Sequence, residues 1–458
     1  MAEELIISIS GLRGIVGQNL TPTVAVEYGC AFGTFLRHRF ANKKDKLKVC
    51  IGRDSRPSGQ MLCSAVAAGL LSAGIDCLDI GIVSTPGVSV MLCHLDCAGG
   101  VVITASHNPI EYNGIKLLLD NGIAPPKQAA EQIKKLFDEK RFKFVSSVDC
   151  GKCFANREAI DVHIEKVISI IDAEKVASKK YRVVLDSVNG AGGTEAKLLL
   201  SKLGCRITAM NDEPTGLFAH KPEPIAENLT GLCQAVKENK ADVGFALDPD
   251  ADRLVIVNEN GEYIGEEYTL ALAAKYVLTK TKGPVATNLS TSRMLDDIAQ
   301  EAAVKVIRTP VGEANVANAM LENNCVIGGE GNGGVIDLRV CPVRNSMVAM
   351  AVVLQYMAAA GKTVSRLASE IPAYYMIKDK FSADKKAFNE LVAKVKEIFT
   401  DAKIDTADGC RFDFNDGWLH LRTSNTEPVV RIIVEAKDKE LAEKYLKIIR
   451  KANESVMK

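Results

Sequence analysis

Three aspartates at alternate positions, within residues 248–253 (DPDADR), form the most specific chemical signal in this chain. Apolar runs at 243–247 and 254–257 flank the segment, which predicts a loop between two buried strands. So much negative charge is costly unless a cation neutralises it, and hard divalent cations prefer carboxylate oxygens. Three carboxylates with an open side fit a Mg²⁺ ion that also shares a phosphate oxygen. The segment therefore predicts one Mg²⁺ per chain, bound by Asp248, Asp250 and Asp252.

A calcium EF-hand is the alternative that the same spacing suggests. Asp248, Asp250 and Asp252 would occupy the first, third and fifth loop positions, and Glu259 the twelfth. The sixth position must be glycine for the sharp turn, but Arg253 stands there. The flanking segments also predict strands rather than helices, so the sequence argues against an EF-hand.

A serine and a histidine lie together in residues 104–109 (TASHNP), directly after the apolar run 101–103. The run predicts a buried strand, and Pro109 prevents a helix from beginning cleanly behind it. Ser106 is thereby presented at the end of a strand, where open α/β sheets place their ligands. A turn that only hydrogen-bonds its own backbone would have the same composition, so the hexapeptide alone leaves both interpretations open.

A serine hydrolase is another interpretation of Ser106 and His107. Adjacent side chains on an extended segment point to opposite sides, so we expect these two not to form a nucleophile–base pair. The G-x-S-x-G elbow is also absent around Ser106. A serine beside a Mg²⁺ site is better placed to carry a phosphoryl group.

Two segments nearer the C terminus offer groups that bind sugars and phosphates. Residues 329–334 (GEGNGG) place a carboxylate and an amide in a glycine-rich turn, which alone is typical of a flexible loop. Residues 422–428 (RTSNTEP) combine a guanidinium, hydroxyls, an amide and backbone N–H groups, donors that together can hold a phosphate. Arg431 follows on the predicted return strand. Arg13 lies in a glycine turn after the first strand, from which it can reach an anion.

Three segments repeat a pattern of strand, polar turn and helix, with strands at 49–51, 183–185 and 285–287. This repetition predicts three similar α/β units. The C-terminal pattern differs, because a hairpin of 417–421 and 429–434 precedes an amphipathic helix, which predicts a small α+β unit. The predicted domains cover residues 1–150, 151–256, 257–371 and 372–458.

At 458 residues the chain is too long for one hydrophobic core. Its 57 basic (Lys+Arg) and 57 acidic side chains predict neither nucleic acid nor an anionic membrane as a partner. No secretory signal pattern is visible at the start, and the longest apolar stretch, near 347–360, is too short for a membrane span. We therefore expect a cytoplasmic protein, whose thirteen cysteines are mostly small buried hydrophobes rather than disulfide partners.

The order of these motifs resembles that of the α-D-phosphohexomutase superfamily, which contains phosphoglucomutase, phosphomannomutase and phosphoglucosamine mutase. The resemblance covers nearly the whole chain. It implies an α/β fold in which three similar mixed-sheet α/β domains and a C-terminal α+β domain surround a central cleft. The implied enzyme is an isomerase that exchanges phosphate between C6 and C1 of a phosphorylated hexose, with hexose 1,6-bisphosphate as activator. It would act as a monomer or homodimer.

The resemblance also assigns roles to residues of the first two motifs. Ser106 would carry the phosphoryl group, complete the metal coordination through its phosphate, and take the other phosphate back from the bisphosphate intermediate. Arg253 would neutralise charge during transfer, and Lys116 would assist proton transfer with Arg13 and His107 close by. A buried lysine near a cation can have a lowered pKa, which suits that work.

The two later motifs would hold the substrate. By the same resemblance, Glu330 and Asn332 would bind the 3- and 4-hydroxyls of the sugar. The phosphate that does not react would be bound by Arg422, Ser424, Asn425, Thr426 and Arg431. Closure of the C-terminal domain over the cleft would exclude water, which would otherwise take the phosphoryl group.

The chain departs from the family pattern at two positions. Gly334 stands where many bacterial members have histidine, and Asn345 follows Arg344 where relatives often have aspartate. The forms of the motifs favour glucosamine 6-phosphate, converted to glucosamine 1-phosphate, as the substrate. Phosphomannomutase/phosphoglucomutase activity is the alternative, because no residue visibly reads an amine at C2. The intact Ser106 and aspartates argue against a non-catalytic sugar-phosphate-binding protein, and the separate phosphate clamp argues against a Mg²⁺ phosphatase.

Overall fold

In the part of the chain that the structure describes, four β-sheets, one for each predicted unit, form the framework. The computed structural model describes residues 5–8, 11–43, 45–423 and 429–456. Three units combine a sheet with helices in α/β fashion, and the fourth is an antiparallel sheet with two helices. This architecture confirms the predicted fold class. The exact domain boundaries after residues 150, 256 and 371 stay predictions.

The first sheet is mixed. Its strands are β1 (Ile6–Ser8), β2 (Gly11–Ile15), β3 (Lys48–Arg53), β4 (Asp76–Ile82), β5 (Gly99–Ile103), β6 (Tyr112–Leu119) and β7 (Cys153–Ala155). They are ordered β1-β2-β6-β5-β3-β4-β7, and the last four strands of this order, β5-β3-β4-β7, are parallel to one another. Strand β7 pairs with β4 although it lies beyond residue 150. The helices of this unit are α1 (Pro22–Arg39), α2 (Gly59–Ser72), α3 (Thr85–His94) and α4 (Lys127–Asp138).

The second and third sheets have four strands each and share one pattern. The second contains β8 (Arg182–Asp186), β9 (Arg206–Met210), β10 (Val243–Leu247) and β11 (Leu254–Val257), in the order β11-β10-β8-β9. The third contains β12 (Val285–Asn288), β13 (Val306–Thr309), β14 (Ile327–Glu330) and β15 (Gly334–Ile336), in the order β13-β12-β14-β15. In each, three parallel strands end in one antiparallel hairpin, whose turn carries a predicted motif.

The helices of these two units lie beside their sheets. The second unit has α5 (Ala159–Ile168), α6 (Ala173–Ala177), α7 (Gly192–Lys202) and α8 (Thr230–Glu238). The third has α9 (Glu267–Lys280), α10 (Met294–Glu301), α11 (Glu313–Glu322), α12 (Ser346–Ala360) and α13 (Val364–Ala368). Helix α12 carries no charged side chain and is buried on nearly every side, because it packs against α9 and against helices of the second unit. The two units therefore share one hydrophobic core.

The fourth sheet is antiparallel throughout. Its strands are β16 (Tyr375–Ser382), β17 (Lys403–Asp405), β18 (Cys410–Asp413), β19 (Gly417–Thr423) and β20 (Val429–Ala436), in the order β16-β20-β19-β18-β17. Helices α14 (Lys385–Ile398) and α15 (Lys439–Val456) cover one face and enclose a separate core. Strands β19 and β20 form the predicted hairpin.

Two expectations about apolar residues can be compared with the fold. No helix within the described ranges is both long and apolar enough to cross a membrane. All thirteen cysteines are free thiols, and eight of them are buried. Their burial agrees with the expectation that most act as small hydrophobic side chains.

Candidate active site

The serine of the 104–109 turn follows β5 in a strained backbone conformation. Ser106 has a φ of 52°, in the left-handed region that few non-glycine residues adopt. Such strain costs about 1–3 kcal/mol and persists only where the surroundings enforce it. Two hydrogen bonds do so here: Ser106 N donates to Thr104 Oγ1 (2.9 Å), and Thr104 Oγ1 donates to Asp54 Oδ2 (2.6 Å).

Arg56, which the sequence did not single out, holds the same turn from behind. Its fully buried guanidinium donates to four main-chain carbonyl oxygens within residues 106–112, at 2.7–3.0 Å. Its Nε also donates to Asp54 Oδ2 at 3.1 Å, which compensates the buried charge. The only sequence signal is a polar turn after β3, which many surface loops share, so the tertiary contacts alone reveal this role.

The acidic loop connects β10 to β11, which pair antiparallel with Leu247 opposite Leu254. Strands on both sides exclude the helix–loop–helix geometry of an EF-hand. The three aspartates are fully buried, and one carboxylate oxygen of each lies within 4.8 Å of the others. Ser106 Oγ lies 3.1 Å from Asp248 Oδ2. The structure thus brings the four predicted metal ligands together.

The donor set fits a divalent cation. Asp250 Oδ1 and Asp252 Oδ1 are buried oxygens that accept no hydrogen bond from any described residue. Burial, and then the charges of Asp252 and Asp250, raise the pKa of Asp248 well above its usual value. A cation bound among these oxygens would give both unpaired oxygens a partner and would keep all three carboxylates ionised.

Lys116 extends from β6 into the same cluster. Its Nζ donates to Asp250 Oδ2 at 2.6 Å and lies 3.8 Å from Asp252 Oδ2. Burial by itself lowers the pKa of Lys116, but the charges of Asp250 and Asp252 outweigh it, so the pKa is raised. The expected lowering is therefore wrong, because the charges nearest to Lys116 are carboxylates.

His107 lies beside Ser106 rather than opposite it. Its Nδ1 is 3.2 Å from Ser106 Oγ, so the expectation that the two side chains point apart is wrong. The reason is the left-handed conformation of Ser106, which turns a segment expected to be extended. Burial, followed by the charges of Arg253 and Arg13, lowers the pKa of His107 to about 2, so the imidazole is neutral at physiological pH.

Two guanidinium groups complete this part of the site. Arg13, on β2, donates to Asn108 Oδ1 at 2.8 Å. Arg253 N donates to Asp248 Oδ1 at 3.2 Å, whereas its buried Nε has no hydrogen-bond partner among the described residues. The nearest carboxylate oxygen to that Nε, Asp252 Oδ1, is 3.9 Å away. Arg13 thus contacts the serine turn and Arg253 the acidic loop, and the charges of both act on His107, the neighbour of Ser106.

The glycine-rich turn connects β14 to β15, and neighbouring side chains hold its carboxylate. Glu330 accepts hydrogen bonds from Asn288 Nδ2 (2.8 Å) and Arg344 Nη1 (2.6 Å). Burial alone raises the pKa of Glu330, but Arg344 and these hydrogen bonds outweigh it and the pKa is lowered. Asn332 Oδ1 is buried without a partner in the described part of the chain. The glycine at position 334 has a steric explanation, because the Cβ atom of any other residue there would lie 2.1 Å from Arg344 Cδ.

Arg344 connects the acidic loop to the glycine-rich turn, and sequence reasoning assigned it no role. Its guanidinium donates to Asp252 Oδ2 (2.5 Å), Glu330 Oε2 (2.6 Å) and Glu313 Oε2 (2.9 Å). These carboxylates raise the pKa of Arg344 well above its usual value despite its burial. Because the three partners are distant in the chain, only the folded structure could identify this residue.

The fourth unit presents two arginines on neighbouring strands. Arg422 on β19 lies directly opposite Arg431 on β20. Like charges in direct register are destabilising, so an anion would relieve this pair. Arg422 Nε lies 3.3 Å from Asp408 Oδ2, and Arg431 is exposed. The predicted phosphate ligands Ser424, Asn425 and Thr426 lie outside the described residues.

Comparison with known proteins gives four family matches that follow one another along the chain. All four belong to phosphoglucomutase/phosphomannomutase: its alpha/beta/alpha domain I matches residues 5–144, domain II residues 161–261, domain III residues 265–375 and the C-terminal domain residues 377–452. Together they span the acidic loop, the serine turn and both later motifs.

Individual proteins resemble the chain over almost its full length. A phosphoglucomutase/phosphomannomutase of Thermococcus kodakarensis is 42% identical, over 98% of this chain and 98% of that protein. A probable phosphoglucosamine mutase of the same organism is 36% identical, over 97% of this chain and 98% of that protein. The crystal structure of a phosphoglucomutase/phosphomannomutase family protein of Burkholderia thailandensis superposes with a TM-score of 0.86 at 27% identity, covering 99% of this chain and 98% of that chain.

Proposed function

Since the chain belongs to the phosphoglucomutase/phosphomannomutase family, whose members are isomerases that move phosphate, we propose that it exchanges phosphate between C6 and C1 of a hexose through a phosphoserine at Ser106. One observation carries this proposal: Ser106 Oγ lies 3.1 Å from Asp248 Oδ2, at the edge of three buried carboxylates. A hexose 1,6-bisphosphate is the intermediate and also the activator that phosphorylates Ser106.

Asp248, Asp250 and Asp252, with the phosphate on Ser106, would hold one Mg²⁺ ion. When bound, the ion supplies charge neutralisation for the phosphoryl group. Thr85 and Lys116 each donate to Asp250 Oδ2 at 2.6 Å, which leaves Asp250 Oδ1 as the oxygen free to bind a cation. The chain therefore orients this carboxylate before any metal arrives.

In the first half reaction, the bond between phosphorus and Ser106 Oγ breaks while a bond from phosphorus to a substrate hydroxyl oxygen forms. Arg13 and Arg253 stabilise the charge on the transferring group. The proton lost by the substrate hydroxyl ends on Ser106 Oγ, and the neutral His107 is the group that can pass it on, because its Nδ1 lies 3.2 Å from Oγ. Lys116, whose Nζ donates to Asp250 Oδ2 at 2.6 Å, contributes positive charge beside the carboxylates.

The phosphate that does not react would be held by the fourth unit, through Arg422, Ser424, Asn425, Thr426 and Arg431, while Glu330 and Asn332 would orient the sugar. Contacts between the third and fourth units support closure over the cleft. Ser290 Oγ lies 2.9 Å from His420 Nδ1, and Arg293 N donates to Glu435 Oε1 at 2.9 Å. Holding the units together excludes water, which would compete for the phosphoryl group.

Among the substrates, we infer that glucose and mannose phosphates are preferred. Two proteins of Thermococcus kodakarensis support this choice, because the chain is 42% identical to the one named phosphoglucomutase/phosphomannomutase and 36% identical to the one named probable phosphoglucosamine mutase.

Glucosamine phosphate, which the sequence motifs favoured, stays the second candidate. The chain is 36% identical to a probable phosphoglucosamine mutase over 97% of its length, and this relative supports glucosamine phosphate as a candidate substrate. The two candidates differ only in the group at C2 or its configuration. A direct kinetic comparison separates them.

Replacing the proposed phosphoserine tests the reaction itself. Ser106→Ala should abolish exchange of glucose 1-phosphate with glucose 6-phosphate in a coupled assay containing Mg²⁺ and a trace of glucose 1,6-bisphosphate. Ser64→Ala, which removes an exposed hydroxyl bonded to Gln60 O, is the matched control. Substantial exchange by Ser106→Ala would refute the phosphoserine, and release of free phosphate instead of exchange would indicate a phosphatase.

The substrate is tested by kcat/KM for glucose 1-phosphate, mannose 1-phosphate and glucosamine 6-phosphate under the same conditions. We expect the two neutral sugars to be favoured by at least about tenfold, which corresponds to about 1.4 kcal/mol in the transition state. A comparable preference for glucosamine 6-phosphate would establish the second candidate instead.

A further inference from the structure

A buried polar cluster behind the acidic loop joins the first three units and has no role in the reaction described above. It contains His163 on α5, Glu195 on α7, Ser84 before α3 and Asn345 before α12, all with no solvent exposure. His163 Nδ1 lies 3.0 Å from Glu195 Oε2, and His163 Nε2 lies 2.9 Å from Asn345 Nδ2. The cluster is outside the cleft, yet each end of it is next to a residue that touches the acidic loop.

The side-chain amide of Asn345 can adopt only one orientation. Its Oδ1 accepts hydrogen bonds from Met347 N (3.0 Å) and Val348 N (3.2 Å), because Asn345 is the N-cap of α12. A flipped amide would place N–H groups against these two N–H donors. Nδ2 must therefore face His163, and its second hydrogen points to Cys341 Sγ at 3.4 Å.

This orientation fixes the proton of His163. Because Asn345 Nδ2 can only donate, His163 Nε2 must accept and carries no hydrogen. The imidazole proton is then on Nδ1, which donates to Glu195 Oε2. A doubly protonated ring would place an N–H group against the N–H of Asn345. The geometry thus selects the neutral imidazole with its hydrogen on Nδ1.

Glu195 connects His163 to the first unit through hydrogen bonds from Ser84. Its carboxylate accepts from Ser84 N (2.7 Å) and Ser84 Oγ (2.6 Å) as well as from His163. Ser84 is the N-cap of α3 and accepts from Gly87 N at 3.1 Å. The next residue, Thr85, donates through Oγ1 to Asp250 Oδ2 at 2.6 Å. A chain of contacts therefore runs from Asn345 to Asp250.

The other end of the cluster touches the same loop. Arg344 precedes Asn345 and donates to Asp252 Oδ2, and Ser346 follows it and donates to Ala251 O at 2.5 Å. We infer that Asn345, His163 and Glu195 are positioning residues, which hold the acidic loop from both sides in the geometry needed for cation binding. The effect on the cation rests on the metal role proposed for Asp250, whereas the position of the imidazole proton does not.

The imidazole proton is tested by two-bond ¹H–¹⁵N correlation NMR of enzyme labelled at its six histidines. His163→Gln identifies the signal of His163. We expect a protonated Nδ1 and an unprotonated Nε2 at pH 7 in the wild-type protein. A hydrogen on Nε2, in either the other neutral form or the doubly protonated ring, overturns the inference.

Asn345→Asp tests whether the N–H donor of Asn345 keeps His163 Nε2 unprotonated. Aspartate caps a helix as well as asparagine does, but it offers His163 an acceptor instead of a donor. In this variant His163 Nε2 should become protonated. Mn²⁺ affinity, measured by electron paramagnetic resonance without substrate, should fall at least about threefold, less than the roughly 10- to 100-fold loss usual for removing a direct hydrogen-bond partner of a metal ligand, because the hydrogen bond from Thr85 to Asp250 is kept. Asn121→Asp is the control, since it adds the same charge at an exposed turn where Oδ1 accepts from Ile123 N.

In Asn345→Asp, a protonated Nε2 of His163 together with weakened Mn²⁺ binding supports the inference. Unchanged Mn²⁺ affinity in a folded Asn345→Asp variant overturns the link to Asp250. If that variant does not fold, Ser84→Ala tests the same link, because it removes the hydroxyl donor to Glu195 and keeps the main-chain N–H donor of residue 84. Mn²⁺ affinity of Ser84→Ala should fall at least about threefold. Unchanged affinity again overturns the link to Asp250. None of these measurements depends on mutase activity, so failure of the proposed function would be recognised separately.

Discussion

Arg344 donates a 2.5 Å hydrogen bond to Asp252, and through the same guanidinium it holds Glu330 of the glycine-rich turn at 2.6 Å. One side chain thereby fixes the distance between the carboxylates proposed to bind the cation and the loop proposed to bind the sugar. The planar fork of arginine suits this arrangement, because it can direct three N–H groups to three carboxylates at once. Lysine has the same charge but no such fork.

Replacing Arg344 with lysine should therefore keep the positive charge but lose the simultaneous hydrogen bonds to Asp252, Glu330 and Glu313. We expect kcat/KM for glucose 1-phosphate to fall about 10- to 100-fold, as for other residues that orient metal ligands. Arg339→Lys is the control, since Arg339 forms a two-point pair with Asp337 and is half exposed. Equal activities of the two variants in the coupled assay would contradict the linking role of Arg344.

Arg56 should matter for stability as well as activity. Arg56→Met removes four hydrogen bonds to the serine turn and leaves the buried Asp54 without its cation. Breaking a buried pair on one side typically costs about 3–5 kcal/mol. We expect the calorimetric transition that includes the first unit to move to lower temperature, together with a large loss of activity, because the strain at Ser106 is no longer enforced.

The control for this variant is Arg37→Met. Arg37 also donates to a main-chain carbonyl oxygen, that of Ala73 at 3.0 Å, but it is not tied to a fully buried carboxylate. Its substitution should change the transition temperature far less. A shift as large for Arg37→Met as for Arg56→Met would indicate that the charge pair is unimportant.

Local patterns in the sequence predicted the parts of the site that depend on local structure. The acidic loop between two strands, the serine turn after β5 and the C-terminal hairpin each have a signal within about ten residues, because the hydrophobic period and turn composition reflect neighbouring residues. The repeated strand–turn–helix pattern similarly indicated three α/β units. These features all appear in the structure.

Features that arise between distant segments had no such signal. Arg344 and Asp252 are 92 positions apart, and Arg56 and Ser106 are 50 apart, so their pairing follows from the tertiary fold. The errors have the same origin. The left-handed φ of Ser106 is enforced by contacts with Arg56 and with Thr104, which Asp54 holds in turn. The raised pKa of Lys116 comes from carboxylates contributed by another unit.

A buried carboxyl group should make stability depend on pH. Burial raises the pKa of Glu267 from 4.5 to about 8, partly offset by Lys378 and by a hydrogen bond from Ser292 N. Between these values the folded state binds a proton that the unfolded state has released. The free energy of unfolding should therefore be highest below pH 4.5 as far as this group is concerned, and fall by up to about 1.4 kcal/mol per pH unit until pH 8.

Glu267→Gln should remove this dependence, because the amide keeps an acceptor for Ser292 N and cannot ionise. We expect similar apparent Tm values for the variant and the wild type near pH 5, and a higher value for the variant at pH 8, measured by calorimetry in one buffer series. Glu322→Gln, at an exposed position, is the control and should follow the wild type. Parallel curves for Glu267→Gln and the wild type would mean that Glu267 is ionised throughout.

Mg²⁺ should stabilise the folded protein even without a sugar phosphate. Buried carboxylates with orphaned oxygens at Asp250 and Asp252 repel one another until a cation binds, and a ligand at 100 times its Kd stabilises a protein by about 2.7 kcal/mol. We expect the apparent Tm to rise with Mg²⁺ concentration and to saturate. Asp252→Asn should remove most of that rise, whereas Asp337→Asn, which alters a buried carboxylate paired with Arg339, should keep it. A Tm that does not respond to Mg²⁺ in the wild type would argue that Asp250 and Asp252 serve only to hold Lys116 and Arg344.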